Sequence, residues 1–197
     1  MEYKEKLENL ISKHGGIISA KELNNAGIPR QYLSILKNEN KIENIYRGIY
    51  VSNEVFEDTM YCLQLRSPKI VFSHDTALYI HGLNDRDPLF YTITLPRGYN
   101  TKRLKSEKTK IYTVKEELYT LGLTTGTTNF GRQISLYDKE RTICDVVKNR
   151  NNMDKFVFND AIKRYVKSSK KDISKLMNYA KQFRLDKIIH NLMEVLL

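Results

Sequence analysis

The sequence predicts an α+β fold in which a small N-terminal unit of helices and one hairpin precedes a mixed α/β region that closes in a helical bundle. Three observations support this. Residues 4–38 repeat apolar positions at helical spacing, residues 42–51 suit two short strands, and the stretch beyond residue 90 runs from β-branched and aromatic segments into amphipathic ones. A chain of 197 residues is long enough for one good core or two modest ones. The expected division is residues 1–53, a linker helix over 54–66, and the α/β region over 67–197.

The first helix rests on Leu7, Leu10 and Ile11 and ends at Gly15-Gly16. Ile17-Ile18 suits a very short strand, and Ser19-Ala20-Lys21-Glu22 reads as a capping box that opens the second helix. Leu23 and Ala26 face inward, Gly27 permits a left-handed turn, and Pro29 suits the first turn of the third helix, which buries Leu33 and Leu36. That assignment leaves Arg30, Gln31, Ser34, Lys37 and Asn38 on an outer face, with Tyr32 at its boundary. KIENIYRGIYVS (41–52) then reads as a hairpin turning at Arg47-Gly48. The whole is a winged helix-turn-helix. In that arrangement the third helix enters the major groove, Lys21 can meet a phosphate at the start of the second helix, and Lys41, Tyr46 and Arg47 hold the wing on DNA.

Beyond the wing, residues 55–66 read as a helix and SHDTALYIHGL (73–83) as another, capped by Ser73 and stopped by Gly82. FYTITL (90–95), KIYTV (110–114) and QISLYD (133–138) read as strands, and LGLTTGTTNFG (121–131) as a turn. It lacks the Lys-Ser/Thr of a phosphate-binding loop and the order of a dinucleotide fingerprint. DKERTICDVVKN continues as a helix capped by Asp138. DKFVFNDAIKRYVK, DISKLMNYAKQF and DKIIHNLMEVLL follow, each opening on an Asp where a cap or first-turn acid is favoured.

The net charge is +10, which points to a polyanionic partner. It is unevenly placed. Residues 1–60 hold eight basic and nine acidic residues, residues 61–150 hold 15 and nine, and residues 151–197 hold ten and five. Arg97, Lys102, Arg103, Lys105, Lys108 and Lys110 form a basic segment that could act as an auxiliary nucleic-acid surface, and Lys163, Arg164, Lys167, Lys170, Lys171 and Lys175 a second concentration. No apolar run reaches the roughly 20 residues that span a bilayer, and the charged N-terminus has no signal-peptide pattern, so a cytoplasmic protein without a membrane partner is expected. Cys62 and Cys144 sit in apolar segments without metal-ligand spacing and read as buried free thiols.

Two groups invite a catalytic reading. His74, Asp75 and His81 lie on or beside one helix, where adjacent residues point about 100 degrees apart and cannot pair through proximity alone; capping and packing explain them. Asp138, Glu140 and Asp145 could serve a metal-dependent nuclease, but Asp138 suits a cap and the other two read as ordinary helix charges. No catalytic residue, metal or cofactor is expected.

YRGIYV, SHDTALYIHGL, ITLPRG and ISLYDKERTICDVV, in that order along nearly the whole chain, resemble the AbiEi antitoxins of type IV toxin-antitoxin systems. The resemblance implies an abortive-infection, phage-defence protein that represses its own operon at inverted repeats in promoter DNA. Its C-terminal α/β antitoxin domain would counteract an AbiEii-like nucleotidyltransferase toxin without a stable complex. The alternatives are the nuclease, or an RNA- or protein-binding module without autoregulation.

Overall fold

The computed structural model describes residues 2–102, 104 and 108–196. Among them are ten α-helices and two sheets, a mixed α+β architecture. The chain divides into two compact units, Met1–Pro68 and Lys69–Leu197.

In the first unit α1 (Glu2–Lys13) leads through β1 (Ile17–Ser19) to the helix pair α2 (Ala20–Asn25) and α3 (Gln31–Asn38). β2 (Ile42–Tyr46) and β3 (Ile49–Ser52) form the hairpin, and α4 (Thr59–Arg66) follows. The sheet order is β1-β3-β2, with β3 antiparallel to both neighbours. All of β1 is buried, because successive strand residues face opposite sides and both sides are covered. Ile18 joins Leu7, Ile11, Leu23, Ile28, Leu33, Leu36 and Ile42 under the first three helices. Ile17 joins Ile49, Val51 and Cys62, so α4 packs on the other face of the sheet.

The second unit is built on a five-stranded sheet of order β6-β5-β4-β8-β7. Its strands are β4 (Val71–Phe72), β5 (Tyr91–Pro96), β6 (Thr109–Val114), β7 (Leu123–Thr127) and β8 (Gln133–Tyr137). β5 and β6 are parallel, and so are β4 and β8, which meet at Phe72 and Leu136; the remaining pairs are antiparallel. The LGLTTGTTNFG segment is therefore corrected from turn to strand: its Thr-rich half pairs with β8, and only its end turns back. A glycine inside it concealed the strand. A Cβ at Gly126 would lie 2.8 Å from Leu136 Cδ2, so any larger residue would displace the buried Leu136 side chain.

Helices α5 (His74–Ile80), α7 (Lys139–Lys148), α8 (Lys155–Lys167), α9 (Ile173–Phe183) and α10 (Asp186–Leu196) share one core with Leu78, Ile143, Ile162, Leu176 and Ile189 at its centre. α6 (Glu116–Tyr119) is a single short turn. Asp154 and Asp172 cap α8 and α9 through their carboxylates, and Asp186 opens α10. Asp138 caps α7 by accepting from the Arg141 amide at 2.8 Å. Ser73 does not cap α5 with its side chain. Its hydroxyl instead accepts from Thr94 Oγ1 at 2.8 Å and meets His74 Nδ1 at 3.0 Å, within a buried network that includes Thr76 and Thr92.

Candidate nucleic-acid interface

The helix pair is set by local chemistry. The Ser19 hydroxyl accepts from the Glu22 amide at 3.2 Å, and the Glu22 carboxylate accepts from the Ser19 amide at 2.7 Å, so α2 starts on a complete capping box. Gly27 adopts φ +67, Ile28 is buried in the corner, and α3 begins at Gln31 with Arg30 as its N-cap. Leu33 and Leu36 anchor α3 inward. Arg30, Gln31, Ser34, Lys37 and Asn38 are exposed, as expected from their spacing. No acidic residue occurs between Leu23 and Asn38. That face is positive although the unit as a whole is close to neutral.

The hairpin adds a second element. β2 carries a bulge between Asn44 and Tyr46, and the Asn44 side-chain amide donates to the Tyr46 carbonyl at 2.7 Å and the Ile49 carbonyl at 2.9 Å. These bonds pin the Arg47-Gly48 turn from inside. From the other side, the Ala20 amide donates to the Gly48 carbonyl at 2.7 Å. Exposed Arg47 at the turn and exposed Lys21 in the first turn of α2 thus sit on two segments tied directly together. Among the described residues, the side chains of Lys21, Gln31, Ser34, Lys37, Asn38 and Arg47 have no hydrogen-bonding or ionic partner. They are available to a ligand.

The other expected contacts are placed differently. Arg30 Nε donates to Asn24 Oδ1 at 3.4 Å, which orients the guanidinium from α2. Lys41 is engaged by Glu8 at 2.6 Å and Glu39 at 3.6 Å, and Glu39 also holds Lys4 at 2.6 Å. The bond to Glu8 raises the Lys41 pKa. Tyr32 is half-buried against Tyr3, with ring centroids 5.7 Å apart. Tyr46 packs beneath the Arg66 guanidinium, 4.7 Å from its ring centroid. Asn44, Asn24 and Glu8 were not expected from the sequence, because their roles depend on bonds across the hairpin and between helices.

In the second unit the described residues of the basic segment do not gather into one surface. β5 and β6 are parallel, so the chain crosses back between them. Arg97 lies beside Val114, to whose carbonyl its amide donates, while Lys108 lies at the opposite end beside Tyr91. Lys110 is exposed on β6 and Lys102 in the crossover; Arg103 and Lys105 lie outside the described residues. In the later concentration, Arg164 is bound by Asp85 and Asp160, and Lys175 by Asp138.

The carboxylates read as nuclease candidates are each held within the unit. Asp138 accepts from Tyr179 at 3.2 Å as well as from Arg141 and Lys175. Glu140 and Asp145 are buried, which corrects their reading as ordinary helix charges. Glu140 accepts from the Tyr165 hydroxyl at 3.1 Å and the Asp172 amide at 3.2 Å, joining α7 to the start of α9. Asp145 pairs with fully buried Arg141 at 3.2 Å, whose guanidinium lies between the rings of Tyr137 and Phe183. Burial pushes the Asp145 carboxyl up to about 6 against the opposing pull of Arg141. No group of three or more metal-ligating side chains occurs among the described residues. Both cysteines are buried and neither is in a disulfide, and burial pushes the Cys144 thiol up to about 12. No helix among the described residues is long and apolar enough to cross a membrane.

A capped helix pair with an acid-free exposed face beside a hairpin pinned at Arg47-Gly48 is an arrangement that a DNA-binding regulator can use. Residues 5–53 match the family described as transcriptional regulator, AbiEi antitoxin. That match lies within the first unit, which is thus similar to the AbiEi antitoxin regulators. The crystal structure of the RV2827C protein from Mycobacterium tuberculosis is similar in fold, with a TM-score of 0.64 and 10% identity over 92% of this chain and 72% of that one. No curated protein sequence matches the chain.

Proposed function

We propose that this protein is a type IV antitoxin that represses its own operon through the first unit, acting as a winged helix-turn-helix on inverted repeats. The observation that carries the reading is the unpartnered row on α3 together with Arg47 and Lys21 at the hairpin. Arg30, Gln31, Ser34, Lys37 and Asn38 make base and phosphate contacts in the major groove, and Arg47 and Lys21 grip the backbone. Lys41 contributes only after leaving Glu8, and Tyr32 and Tyr46 act by packing the elements that carry their neighbours. The basic residues of the second unit, Arg97, Lys102, Lys108 and Lys110 included, add sequence-independent attraction. The second unit opposes a nucleotidyltransferase toxin of the AbiEii kind without forming a stable complex.

Fluorescence anisotropy tests the DNA reading, with the full chain titrated into DNA from immediately upstream of its gene and into scrambled DNA of equal length across a salt series. Binding that prefers the upstream DNA and weakens with salt at a slope of several phosphates is expected. Equal, salt-fragile binding to both DNAs rejects it. For the antitoxin role, co-expression of the full chain should restore growth in a strain making the toxin, and should still do so when Arg47 and Gln31 are replaced by Ala. Loss of rescue in that double variant would make DNA binding the source of protection.

A further inference from the structure

We propose that β7 is a pairing edge for a second copy of this chain, which joins the two five-stranded sheets antiparallel across a two-fold axis at Thr125. β7 is the terminal strand of its sheet, and four of its five residues are exposed. Its outward groups can be assigned from the ladder. The Asp138 amide donates to the Gly122 carbonyl at 2.8 Å, and the Thr128 amide to the Arg132 carbonyl at 2.9 Å. Bonded and non-bonded pairs alternate along an antiparallel ladder, so the amides and carbonyls of Leu123, Thr125 and Thr127 point away from β8. They form a row of donors and acceptors along a β-prone edge.

The two edges of this sheet are treated differently by the sequence. β6 is guarded by Lys108, Lys110 and Lys115, the usual protection of an exposed edge against pairing. β7 lies in the longest uncharged run of the chain, the 14 residues 118–131. The contrast is sharp in a protein with a net charge of +10. Two copies so charged can meet edge to edge only where no charge confronts its own image, and β7 supplies that stretch. The edge offers nothing to recruit an ionic partner.

The geometry is also self-complementary. Centring the pair on Thr125 places it opposite Thr125 of the second copy and sets Leu123 against the second copy's Thr127, so all three outward residues enter bonded pairs. Each copy covers the other's edge and the assembly closes at two. Leu123 at the start of the strand and Phe130 beyond its end, 43% and 52% exposed, add apolar surface at the two ends of β7.

Sedimentation equilibrium of the full chain tests this without nucleic acid, so the result is independent of the DNA reading. The weight-average mass should rise with concentration towards twice the monomer mass. Thr125→Pro removes an amide that faces outward and is not needed by β8, and Thr125→Lys sets two ammonium groups against each other. Each should weaken association by about fivefold or more while circular dichroism stays unchanged. A constant monomer mass up to the highest soluble concentration overturns the proposal. So does association that persists unchanged in the Lys variant, which stands alone should the Pro variant fail to fold.

Discussion

Arg47, Arg30 and Gln31 are all exposed cationic or amide side chains, yet their replacement should give different signatures. In the proposed docking Arg47 meets the DNA backbone, so Arg47→Ala should lower affinity for every DNA, with a salt slope shallower by about one. Arg30→Ala and Gln31→Ala should cost about 1–3 kcal/mol on the upstream DNA and relax preference among bases. Anisotropy against a panel of single-base substitutions separates the cases, and unchanged binding by all three removes the docking. A second residue-scale prediction concerns His74. It is buried, stacked on Tyr112 at 3.7 Å and held at φ +46; burial pulls its pKa from 6.5 down to about 3. The unfolded chain therefore takes up this proton first. Stability is complete above about pH 6.5 and falls towards pH 3 at up to about 1.4 kcal/mol per pH unit, or about 2 kcal/mol between pH 6.5 and 5. Urea unfolding at those two pH values checks the slope. His74→Asn, which tolerates the left-handed backbone, should flatten it but leave the smaller share of His81, whose pKa burial also lowers.

At the scale of elements, what was legible in the sequence was what is encoded locally. The Ser19 capping box, the Gly27 corner, the inward Leu33 and Leu36, and the capping aspartates at 138, 154 and 172 involve residues a few positions apart. The strand β7 is hard to read because Gly126 and three threonines carry no apolar alternation, and only the closeness of Leu136 explains the glycine. The burial of Glu140 and Asp145 was equally hidden, since their partners Tyr165 and Asp172 lie on later segments and Arg141 is aligned by Leu118 and Leu121 carbonyls. The exposed row on α3 was readable, but the ion pairs that hold Lys41 come from α1 and the end of α3. Asn44 yields a prediction at this scale. Asn44→Ala removes the side-chain bonds to the Tyr46 and Ile49 carbonyls and should loosen the Arg47 turn, weakening DNA binding about three- to tenfold while costing about 1 kcal/mol or less of stability. Thermal melting and anisotropy on one preparation test it; a loss of stability without a loss of affinity would separate Asn44 from DNA binding.

For the whole molecule, the placement of charge and the order of the strands matter more than any one contact. The first unit holds its positive face apart from its acids, whereas the excess charge belongs to the second unit, so truncation should alter salt dependence more than base preference. The parallel pairing of Phe72 with Leu136 has a consequence during synthesis. The first unit is assembled from neighbours in sequence and is complete by Pro68, while β4 emerges with no β8 to lie beside until residue 136 has been made. Early local closure and late long-range closure imply that the two units mature at different times on the ribosome. Chains stalled after residue 120 should resist brief proteolysis up to about Pro68 and be digested beyond it. Under the proposed function, an interrupted message would then leave behind a fragment able to occupy the operator but unable to restrain a toxin, so a break in translation would silence the operon while removing its protection.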